Sequence, residues 1–121
     1  MIVYRVQDKR GRGPFKPGMS HRWSDEDFAP GMESLLTWPE EFGFDLINRD
    51  GRPGEHFGSA VRDPMELSRW FSKTEQEKLH KLGYRPVALR VDRVLAESKD
   101  QLVFARQKPL WRNARPIQWP L

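Results

Sequence analysis

The sequence predicts a small α+β fold: a mixed or antiparallel sheet, two short tandem helices and long ordered loops. Three observations lead there. Short runs with two-residue apolar alternation lie at the start and towards the end of the 121-residue chain, the period of half-buried strands. Two helix-capping signatures fall close together in the second half. Ten prolines, nine glycines and five tryptophans point to loops pinned by aromatic side chains between the regular elements.

The first predicted strand covers residues 2–7, with Ile2, Tyr4 and Val6 on one face and Val3, Arg5 and Gln7 on the other. Residues 8–31 read as one long ordered loop, because Gly11, Gly13-Pro14, Pro17-Gly18 and Pro30-Gly31 interrupt any regular pattern. Phe15, Met19, Trp23 and Phe28 are spaced to plug that loop into a core, and a structureless loop of this length in a compact domain is usually functional or mobile. A single helical turn is expected at 32–37, before Trp38-Pro39. Residues 43–55 read as loop, marked by Asn48, Asp50-Gly51 and Pro53-Gly54.

Beyond this point the local signals sharpen. Asp63, Pro64 and Glu66 supply an N-cap, a first-turn proline and a capping-box partner, and Leu67, Trp70 and Phe71 continue an apolar stripe at helical spacing. Ser72 and Glu75 repeat the capping signature for a second helix through Leu79 and Leu82, closed by Gly83. Strands follow at 85–91, with Val87, Leu89 and Val91 on one face, and at 101–107, with Leu102 and Phe104 inward. A hairpin turn around 97–100 is expected to link them. The tail 108–121, carrying Trp111, Ile117 and Trp119, is expected to pack back on the domain. The predicted core is Ile2, Tyr4, Val6, Phe57, Leu67, Trp70, Phe71, Leu79, Leu82, Val87, Leu89, Val91, Leu102 and Phe104.

Length suits a single domain over residues 1–121. The chain has no cysteine, which excludes a disulfide framework and thiolate zinc sites and fits a cytoplasmic setting. No apolar run approaches the ~20 residues a membrane span requires, and the N-terminus leads straight into a strand, so neither a membrane partner nor a targeting peptide is expected. His21, His56 and His80 are too scattered for a metal site, and no serine or cysteine stands in a nucleophile motif. Gly11-Arg12-Gly13-Pro14 is no phosphate loop, since Pro14 removes an N–H and no lysine-Ser/Thr pair follows.

Charge is segregated. The net value is +4, but residues 1–22 carry Arg5, Lys9, Arg10, Arg12, Lys16 and Arg22 against Asp8 alone. Residues 23–50 hold eight acids against Arg49. Within them Asp25-Glu26-Asp27 and Glu40-Glu41 suit a solvated acidic face or neutralisation of the basic loop better than acid–base catalysis. A segregated basic surface attracts a partner of acidic character, nucleic acid among them. The candidates for that role are Lys9, Arg10, Arg12 and Lys16 with Arg106, Lys108, Arg112 and Arg115. Trp111 and Trp119 interleave with the tail bases and are placed to stack on nucleobases.

A second constellation is formed by Tyr4-Arg5 on the first strand, Phe57-Gly58-Ser59 before the tandem helices, and Gln101-Leu102-Val103-Phe104 at the opening of a late strand. Their order and spacing resemble the ADP-ribosyltransferase family, where a strand-borne arginine, a serine and a glutamate converge on NAD. The resemblance implies an ADP-ribosyltransferase-like fold, with Arg5 and Ser59 holding NAD or a related nucleotide and position 101 at the catalytic place. That place holds a neutral amide, so the resemblance implies weak or lost catalysis. Most of the chain, from Val3-Tyr4-Arg5 and Gly13-Pro14-Phe15 through Leu67-Ser68-Arg69-Trp70-Phe71 and Leu82-Gly83-Tyr84 to Gln101–Phe104, also resembles small phage and prophage proteins. This second resemblance implies a phage or mobile-element setting and no particular activity. Two other functions fit the charge pattern: nucleic-acid binding, and a protein-interaction module acting on host or defence machinery.

Overall fold

The computed structural model describes residues 1–14, 38–43 and 45–120. Among them, six strands build two three-stranded antiparallel sheets, joined by short helices. The α+β class read from the sequence is therefore right, with its sheet divided in two. In the first sheet β1 (Ile2–Gln7) pairs with β3 (Arg85–Arg90), and β3 pairs with β6 (Arg115–Pro116). In the second, β5 (Leu102–Arg106) lies between β2 (His56–Ala60) and β4 (Arg93–Glu97). The sheets touch where Tyr4 and Val61 exchange backbone hydrogen bonds of 2.9 and 2.8 Å.

The chain changes sheets within one residue. Val91 N–H donates to Met1 O, extending the first sheet, and Asp92 N–H donates to Ala105 O in the second. The hairpin around 97–100 thus joins β4 to β5, not β3 to β5, which corrects the predicted link. Residues 93–97 hide as a strand because a bulge between Val94 and Ala96 breaks their two-residue period.

Two buried clusters account for the core. Val6, Leu67, Trp70, Phe71 and Leu79 form one, and Val3, Leu89, Leu102 and Phe104 belong to the other. Each fully buried leucine or phenylalanine contributes roughly 1.5–3 kcal/mol relative to exposure. Strand β1 feeds both, because Val6 packs into the first cluster and Val3, on its opposite face, into the second. Three predicted core residues lie outside: Ile2, at the end of its ladder, is 43% exposed, Leu82, at the C-cap of a helix, is 42% exposed, and Phe57 is half-buried on β2 and joins neither cluster.

The tandem helices begin as their caps dictate. Asp63 accepts from Met65 N–H at 2.9 Å and starts a 3-10 turn, Pro64–Glu66, that runs into α3 (Leu67–Trp70). Ser72 and Glu75 close a reciprocal capping box at the start of α4 (Lys73–Lys81). Earlier in the chain, α1 (Trp38–Phe42) and α2 (Leu46–Asp50) occupy residues with little helical signal. At the C-terminal end, Ile117 N–H bonds Pro86 O, and Trp119 packs on the first cluster. The plugs Phe15, Met19, Trp23 and Phe28, the turn at 32–37, His21, Lys16 and Asp25-Glu26-Asp27 lie outside the described residues.

Candidate functional site

A cleft of about 500 Å³ opens where the two sheets meet. Its walls come from β1 (Tyr4, Arg5, Val6), the following turn (Gly11, Gly13, Pro14), α1 (Trp38, Pro39), β2 from Phe57 to Ala60 with the adjoining Val61, and α3 with Phe71. Gln101 and Leu110 complete the lining. The volume lies in the range of small-molecule sites, and the walls are mostly aromatic and aliphatic with few polar groups. Arg5, Ser59 and Gln101, 96 positions apart in sequence at their extremes, line this same cleft.

Arg5 is the unusual group. Its residue is 8% exposed, and its Nε and Nη1 have no hydrogen-bond partner among the described residues. Its Cζ lies 5.8 Å from the centroid of the Phe104 ring. Burial drives its pKa down to about 10, with Asp8 pulling the other way, so the side chain is still a cation at neutral pH. A desolvated cation–π contact is worth about 2 kcal/mol. Desolvating a guanidinium costs several, so the ring does not offset the burial.

The backbone makes room for this arrangement. Gly58 sits opposite Phe104 in the β2–β5 ladder, and a Cβ at 58 would overlap Arg5 Nη1 and stand 3.0 Å from Phe104 Cζ. The turn after β1 is organised by Asp8, whose carboxylate accepts from the N–H groups of Arg10 and Arg12, each at 2.9 Å, and from Arg12 Nε at 3.0 Å. Burial opposes ionisation of Asp8, but these donors outweigh it and hold its pKa below the usual carboxylate range.

Gln101 ends the β4–β5 turn and is 6% exposed. Ser98 N–H donates to Gln101 O at 2.8 Å, and Trp70 Nε1 donates to Asp100 O at 3.2 Å, which ties the turn to α3. Its side-chain Nε2 donates to Glu41 Oε1 at 3.1 Å, and Ser98 Oγ donates to the same oxygen at 2.8 Å. Glu41, read from the sequence as part of a solvated acidic face, instead takes hydrogen bonds from Gln101 and Ser98; that partnership is not visible in the sequence, and only the placement of α1 brings it about. Ser59, half-buried on β2, is the neighbour of Gly58.

The profile of the bacteriophage T4 Y00F protein family matches residues 1–116. The chain belongs to that family. The matched span includes every cleft residue named above. No curated protein and no solved structure matches the chain.

In this member of the Y00F family the basic residues singled out from sequence separate into two kinds. Lys9, Arg10, Arg12, Lys108, Arg112 and Arg115 are exposed, although Arg12 is paired with Asp8. Arg106 differs from the outward placement expected of it. It is 3% exposed, and its guanidinium donates to four backbone carbonyls: Arg90 at 3.1 Å, Lys108 at 2.9 Å, Pro109 at 2.7 Å and Arg112. Trp119 is also engaged, donating from Nε1 to His80 Nδ1 at 3.0 Å. Neither is placed for nucleic acid. Among the described residues no group of three or more His, Asp or Glu side chains is placed to hold a metal ion. Among them, too, no helix is long and apolar enough to cross a membrane.

Proposed function

We propose that the cleft binds NAD or a related nucleotide, and that transferase chemistry there is weak or lost. The observation that carries this reading is Arg5: a buried cation on the cleft wall whose Nε and Nη1 lack partners among the described residues. A phosphate would supply both the missing acceptors and the missing charge, and a guanidinium fork matches phosphate oxygens two at a time. Ser59 lines the same cleft, and Trp38, Phe57, Trp70 and Phe71 offer flat apolar surface to a planar ring. Arg5 and Ser59, with Gln101, are the positions through which the chain resembles the ADP-ribosyltransferases.

Loss of catalysis follows from position 101. An amide carries no charge to stabilise a developing oxocarbenium ion, and the Nε2 of Gln101 is committed to Glu41. The test is an amide NMR titration of labelled protein with NAD. Saturable shifts clustered at Arg5, Ser59 and Gln101 are expected; scattered or absent shifts would overturn the reading.

A further inference from the structure

We propose that the exposed turn at 109–112 is a stacking platform for single-stranded nucleic acid, built on Trp111, Lys108 and Arg112, which do not line the cleft, although Leu110 of the same turn does. Trp111 at its tip is 53% exposed, while the preceding Leu110 packs against the second core cluster. The ring is therefore held outward beside an anchored neighbour. The backbone beneath it is fixed at several points. Arg106 collects the carbonyls of Lys108, Pro109 and Arg112, Arg112 N–H closes the turn on Pro109 O at 3.0 Å, and Gln7 Nε2 holds Leu110 O at 2.8 Å. A platform ordered in advance loses little entropy on binding.

Charge surrounds the ring. Lys108 and Arg112 flank it in sequence, and both are exposed. The turn after β1 packs on the same backbone: a Cβ at Gly11, where φ is +83°, would stand 2.8 Å from Leu110 Cβ and 3.0 Å from Trp111 N. That contact brings the exposed Lys9 and Arg10 to the edge of the platform. Among the described residues, none of Lys9, Arg10, Lys108 and Arg112 has an ion-pair partner, and residues 105–121 contain no acid. Basic side chains without an acidic partner among the described residues suit a polyanion, and an outward indole on a rigid turn suits planar rings. A single strand presents both, whereas an acidic peptide lacks the rings and a duplex hides its base faces.

Fluorescence anisotropy of a labelled oligothymidylate tests this. Wild-type protein is expected to bind at low salt and to lose affinity as salt rises. Trp111→Ala is expected to weaken binding on the order of tenfold without lowering the melting temperature, and Trp111→Phe to keep most of the affinity. Lys108→Gln and Arg112→Gln should each flatten the slope of log K against log salt by about 0.7. No binding at low salt, or equal binding by wild type and Trp111→Ala, would overturn the proposal. So would displacement of the oligonucleotide by polyglutamate or duplex at equal charge concentration. None of these outcomes bears on NAD, because every substituted side chain lies outside the cleft lining.

Discussion

Arg5 and Arg106 are both buried arginines, 8% and 3% exposed, on strands that feed the same core cluster, and burial lowers the pKa of both. Their surroundings differ. Arg106 spends its donors on four carbonyls and stitches the chain beyond β5 to the end of β3. Arg5 faces a cleft, a phenyl ring and the backbone of Gly58, with two of its nitrogens unpartnered among the described residues. Burial alone thus says little about a charged residue's role. Satisfaction separates the two: the saturated cation holds the fold, and the unsaturated one is, on the reading proposed above, the group that takes the ligand's anion.

The contrast can be broken most directly at Arg106. Arg106→Met removes a donor from four carbonyls, of which Pro109 O keeps the Arg112 N–H, and is expected to cost on the order of 3–5 kcal/mol. A thermal melt should show a fall of roughly ten degrees or more. A near-normal melting temperature would mean that water replaces the guanidinium and that the two arginines are less different than their contacts suggest.

Gly58→Ala sharpens the other half. The added methyl overlaps Arg5 Nη1, so a loss of about 1–3 kcal/mol is expected, together with weakened NAD binding as the guanidinium is displaced. A double-mutant cycle with Arg5→Met should reveal coupling between the two sites; strictly additive losses would argue that Phe104, not Arg5, dictates the glycine.

A smaller effect is expected at position 101. Gln101→Glu replaces the amide donor 3.1 Å from Glu41 Oε1 with a second carboxylate. Like charges at that distance repel, so a loss of about 1–2 kcal/mol is expected, recovered when Glu41→Gln is added. Denaturant midpoints of the single and double variants would decide. If the single substitution is neutral, Glu41 does not orient Gln101.

Where chemistry is local, the sequence is legible. The capping box of Ser72 and Glu75 and the strands containing Val3 and Leu89 follow from neighbouring residues alone. Strand β4 does not, since its bulge spoils the period and its side chains are only half-buried. Helix α2 is five residues long and carries Asn48 and Asp50, types that favour turns, so tertiary packing decides it. The same limit applies to the site. Arg5, Ser59 and Gln101 emerge because they stand in recognisable strings, whereas Glu41 and the inward turn of Arg106 depend on contacts across 60 and 16 positions.

On the reading proposed above, Arg5 is held for a ligand and not for the fold. The direct measurement is the melting temperature and NAD affinity of Arg5→Met beside wild type. Removing an uncompensated buried charge should leave stability unchanged or raise it by about 1 kcal/mol, while saturable NAD binding disappears. A clear fall in melting temperature with NAD binding intact would contradict the account and make Arg5 a second structural arginine.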